Sequence, residues 1–129
     1  MPNVDTNALN SNRDMIVIFS LSALVLAIYF QTTGFQFINL DDNLYVYQNG
    51  AVRTGINWDS VKWAFVAFHS ANWHPLTWLS HAADVELFGL EPGAHHSVNV
   101  LIHLMNSVLT FGVFKAMTGR FWESAFVAA

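Results

Sequence analysis

Cysteine is absent, which excludes disulfides, Fe–S clusters, thiol nucleophiles and zinc–thiolate sites. Charge is scarce. Five Lys or Arg and nine Asp or Glu make up 11% of 129 residues, where a globular domain carries roughly 25%. Together with the apolar content, so little charge excludes a disordered chain, a coiled coil and a basic nucleic-acid binder. There is no internal repeat and no low-complexity tract, and hence no collagen-like or solenoid architecture. No G-x-x-x-x-G-K-[ST], G-x-G-x-x-G or G-x-S-x-G string occurs, so nucleotide-loop and serine-hydrolase chemistry lack support. What the sequence does hold is 53% hydrophobic and 15% aromatic residues, concentrated in two long blocks.

The first block, Met15 to Phe30, carries no charge, and Gln31 to Gly34 bring it to the ~20 residues needed to cross a bilayer. No A-x-A-like site follows it, so it reads as an uncleaved anchor rather than a signal peptide. The second block, Ser97 to Met117, is again close to bilayer length and is closed by Lys115, Gly119 and Arg120. Arg13 before the first block and Lys115 and Arg120 after the second place both termini in the cytoplasm by the positive-inside rule. The sequence therefore predicts an all-α membrane protein, with a cytoplasmic tail over 1–14 and transmembrane helices over 15–34 and 96–117. An extracytoplasmic loop occupies 35–95, and a cytoplasmic turn with the start of a third helix occupies 118–129. That last segment, FWESAFVAA, stops short of bilayer length, so its final turn is expected against a partner protein or further chain.

Within the loop, Asn57 is placed to cap a helix from Trp58 in which Val61, Phe65 and Phe68 share a face. A second helix is expected from Pro75 to Phe88, stopped by Gly89. These read as amphipathic interfacial helices, with Trp58, Trp63 and Trp78 as headgroup-level anchors; Trp73 lies in the same stretch. The alternative is that the tryptophans form a small periplasmic core.

Three groups of residues can carry chemistry. Asp41 and Asp42 form a carboxylate pair just beyond the first span, and one can serve as a general base while the other caps backbone. From chemistry alone a plain N-cap or Asx-turn before a short helix is the favoured reading of the pair. His96, Asn99, His103 and Asn106 recur at i, i+3, i+7 and i+10, a polar stripe on the second span. Such a stripe faces a cavity or glues helices together. The six histidines include no H-E-x-x-H string and no i, i+4 pair, so spacing alone assigns no metal site.

The strings FINLDDNLYVYQN, GINWDSVKWAF, NWHPLTWLSH, LFGLEPGAHHSVNVLIHLMN and MTGRFWESAFVAA resemble the amino-terminal part of bacterial membrane proteins with C-terminal tetratricopeptide repeats. Those proteins are similar to the transmembrane and tetratricopeptide-repeat O-mannosyltransferases, and more distantly to the protein O-mannosyltransferases, of the GT-C glycosyltransferase class. The resemblance covers about Phe37 to Ala129. It implies an enzyme of the bacterial inner membrane that moves a sugar from a polyprenyl-phosphate donor, with or without a divalent metal, to an extracytoplasmic hydroxyl. It implies a catalytic role for Asp41 and Asp42, and cavity-lining positions for Trp73, His74, His95 and His96. A GT-C donor site needs many helices, whereas this sequence supplies two spans. The expected behaviour is therefore that of an accessory subunit packed against other membrane proteins and lipid, with no cofactor of its own.

Overall fold

The computed structural model describes residues 12–129. Among them there is no strand; a lone bridge between His69 and Asn72 is the only extended pairing. The elements are α1 (Asn12–Tyr29), α2 (Gly50–Arg53), α3 (Trp58–Val66), α4 (Pro75–Phe88), α5 (Pro92–Thr118) and α6 (Phe121–Ala128). A 3-10 turn (Phe30–Gly34) follows α1, and a π turn (Asn43–Tyr47) precedes α2. Two segments, Asn12–Gly34 and Pro92–Thr118, are long and apolar enough to cross a membrane. Most of the tail expected over 1–14 lies outside the described residues, and Asn12 to Asp14 already belong to α1.

The chain divides into two compact units, one of residues up to Gln31 with Asn99–Ala129, the other Thr32–Val98. In the first unit, Val17 and Leu21 of α1 pack with Phe111 of α5 and Ala128 of α6. Lys115 ion-pairs with the buried Asp14. Arg13 lies over the Phe121 ring at 4.6 Å, a cation–π contact at the same end of the helices. Most large side chains elsewhere on these helices, such as Phe19, Leu101, Leu109 and Phe126, remain exposed. Apolar faces of that extent are what a lipid-facing helix presents.

The second unit is built from short helices whose ends are set by local chemistry. Asn57 caps α3 and Ser60 returns the bond to the Asn57 N–H, so two orphan donors are satisfied. Pro75 opens α4, where its missing N–H loses nothing. Pro92 does the same for α5, which begins four residues before the expected 96 and thereby carries both His95 and His96. Asn49 caps α2 by accepting from Ala51 and Val52. Between α2 and α3 the chain turns at Gly55, with φ +71°, where a Cβ would strike the Glu86 carboxylate of α4.

The core of this unit is Val52, Ala64 and Trp78, with Tyr45, Trp63, Leu79 and Val85 against it. Trp78 is 1% exposed. It is therefore a core residue, not an anchor at the headgroup level, because ring burial among Tyr45, Trp63 and His69 leaves no face for lipid. Trp63 lines the same core. Trp58 and Trp73, at 80% and 58% exposed, point outward.

Candidate functional site

The second unit brings three titratable residues together beside α4. His81 and Asp84 stand one turn apart on that helix, and His95 comes from the first turn of α5 after the tight connection at Gly89. One ligand-capable atom from each of the three lies within 4.8 Å of the other two. Asp84 and His95 are buried, at 4% and 2% exposed, and His81 is half-buried. The His95 Nε2–H donates to the Gly89 carbonyl at 2.9 Å, and this bond directs Nδ1 toward the Asp84 Oδ2 at 3.8 Å. That separation is too long for a hydrogen bond.

The electrostatics follow from burial. Desolvation raises the Asp84 carboxyl above its ordinary 3.8, opposed by nearby His95. Desolvation likewise lowers His81 below its ordinary 6.5; His95 and His74 add to this, while Asp42 acts the other way. Both shifts favour the neutral form of a group held out of water. Buried ring nitrogens of His74, His81, His95 and His96 have no hydrogen-bond partner among the described residues. Imidazole nitrogens in such surroundings are normally satisfied, and all four of these lie in the second unit.

The sequence-derived candidates distribute unevenly about this cluster. Asp42 accepts from the Ile38 N–H at 2.9 Å, which makes it a cap that holds the turn before the π segment. Asp41 is exposed and its carboxylate makes no hydrogen bond among the described residues. His74 is tilted against both Tyr45 and Trp78, whose rings also meet each other. Trp73 donates its indole N–H to the Phe65 carbonyl at 2.9 Å, fixing the loop that carries His74. His96 and His95 both meet the Phe37 ring edge-on. The stripe on α5 divides: His103 packs edge-on against Tyr29, whereas Asn99 and Asn106 are exposed, with no hydrogen bond among the described residues.

His81 and Asp84 were not among the residues singled out from the sequence. Their signal was a His-x-x-Asp pair within a segment already expected to be helical. It lacked meaning without the third ligand, which lies eleven residues beyond Asp84 in sequence and reaches the pair only through the turn at Gly89. An open apolar groove of about 370 Å³ along α1 and α6, lined by Val17, Leu21, Phe121 and Ala125, contains none of these residues. No family model, curated protein or solved structure matches this chain.

Proposed function

We propose that the chain is a membrane-embedded component of a GT-C-type glycosyltransferase that uses a polyprenyl-phosphate sugar, with Asp41 as the base acting on an acceptor hydroxyl. The observation that carries this reading is the unequal state of the acidic pair. Asp42 is held by the Ile38 N–H, while Asp41 beside it presents a solvated carboxylate with no structural duty. A general base needs an ionised, accessible oxygen within reach of the hydroxyl it deprotonates, and its neighbour positions it by fixing the turn. The two apolar spans supply the anchorage, with the termini on the cytoplasmic face of the inner membrane and the intervening unit on the other side.

The test is transfer of mannose from a polyprenyl-phosphate donor to a serine- and threonine-containing peptide, in membranes holding the chain and its native neighbours. Asp41→Asn is expected to abolish transfer and leave the amount of folded chain unchanged. Asp42→Asn is expected to lower that amount. Undiminished transfer by Asp41→Asn would end the assignment.

A second reading, an accessory subunit without chemistry of its own, is favoured by Asn99 and Asn106. They are polar and exposed on a segment fit to span a membrane, where such groups seek partners on other helices. In that case Asn106→Leu releases the chain from its complex in mild detergent, and transfer is indifferent to Asp41.

A further inference from the structure

We propose that His81, Asp84 and His95 form a binding site for a first-row divalent transition metal of the zinc class, leaving at least one coordination position open. The inference rests on the geometry of the second unit and does not depend on the glycosyltransferase reading.

The three ligand atoms already sit within 4.8 Å of one another. A metal with bonds of about 2.0–2.2 Å holds its ligands roughly 3.3–3.6 Å apart in a tetrahedral shell, so side-chain movements that shorten the widest separation by up to about 1.5 Å close the site.

His95 shows the arrangement that metal-bound histidines adopt. Its Nε2–H is committed to the Gly89 carbonyl, which fixes the tautomer and leaves the Nδ1 lone pair pointing at Asp84. The His95 Nδ1 and the Asp84 Oδ2 face each other across 3.8 Å, beyond hydrogen-bond reach, and a cation placed between them is bonded by both. The His81 Nδ1 is likewise a buried ring nitrogen with no hydrogen-bond partner among the described residues.

The donor set selects the metal. Two imidazoles and one carboxylate suit zinc, cobalt, nickel or iron, whereas magnesium and calcium prefer shells of oxygen. Three protein ligands leave a four-coordinate ion one position for water or a substrate oxygen, as in catalytic rather than structural sites.

Cobalt(II) titration of the full chain in detergent micelles, after stripping with a chelator, tests the proposal. One equivalent is expected to develop visible d–d absorption that zinc abolishes and magnesium leaves unchanged. His81→Gln and His95→Gln should each weaken binding by about 100-fold or more, the upper range seen when only an outer-shell partner is lost. His103→Gln, in the other unit, should leave binding as it is, and far-ultraviolet circular dichroism verifies that each variant retains its helices. Absence of the absorption bands in the parent chain overturns the proposal without reference to any variant. So does binding that survives His81→Gln and His95→Gln together, or that is lost equally in His103→Gln, since either outcome places the metal elsewhere. A proton or a bridging water between Asp84 and His95 is then what satisfies the cluster.

Discussion

Lys115 of α5 places its ammonium 2.6 and 2.7 Å from the two carboxylate oxygens of Asp14 on α1, joining residues 101 apart in sequence. The Asp14 side chain is only 3% exposed and that of Lys115 21%. A charge pair so placed ties the ends of two long apolar helices in one register, because neither partner has enough water to fall back on. Removing one partner of a buried pair is far more damaging than replacing both. Lys115→Met should therefore destabilise the paired helices by about 3 kcal/mol, while Asp14→Leu combined with Lys115→Met recovers most of that loss. Thermal unfolding in detergent, monitored by circular dichroism, reads both values.

The metal-free cluster carries a stability penalty that mutation can remove. The folded Asp84 pKa lies above the unfolded one, so this carboxylate favours folding below about pH 3.8. That contribution is lost as pH rises through the folded value. At neutral pH this carboxyl is thus a burden on the folded state. Asp84→Asn, nearly equal in volume, should raise the metal-free unfolding midpoint at pH 7. A lower unfolding midpoint for Asp84→Asn in chelator-treated protein would contradict this.

His81 gives the opposite slope. Its folded pKa lies below the unfolded 6.5, so its contribution to stability is intact above pH 6.5 and is lost as pH falls through the folded value. Unfolding midpoints of the metal-free chain should decline on acidification below pH 6.5, and His81→Phe should flatten that decline.

A different strain sits at the bend between α3 and α4. Ser70 and Ala71 both have positive φ, 50° and 60°, inside a two-residue turn closed by reciprocal bonds between His69 and Asn72. Left-handed backbone is costly for residues with a Cβ, and turns of this shape favour Asn-Gly. Replacing Ser70-Ala71 by Asn-Gly should stabilise the second unit by about 1 kcal/mol, measured as slower amide exchange in α3 and α4.

Glycine is needed at Gly55 and dispensable at Gly34. At Gly55 the left-handed φ opposes a side chain, the exposed Glu86 carboxylate being able to swing aside, whereas a Cβ at Gly34 meets nothing within 4 Å. Gly55→Ala should lower stability by about 1 kcal/mol, and Gly34→Ala should be close to neutral. Thermal midpoints of the two variants make the comparison directly.

Helix positions were legible wherever a short-range signal fixed them. The two apolar blocks are long enough to cross a bilayer, a matter of length and composition that a sequence displays directly, and α3 and α4 start where Asn57 and Pro75 sit because capping is a matter of neighbouring residues. The lack of cysteine likewise excluded thiol chemistry. Tertiary structure alone decided the rest. It put Trp78 inside a core and Trp58 outside, since identical rings differ only in what folds over them. It separated Asp42, bonded to Ile38, from Asp41, though the two are adjacent and chemically the same. It also brought His95 to His81 and Asp84, because a ligand set closed by a turn between two helices has no period that a one-dimensional pattern can display.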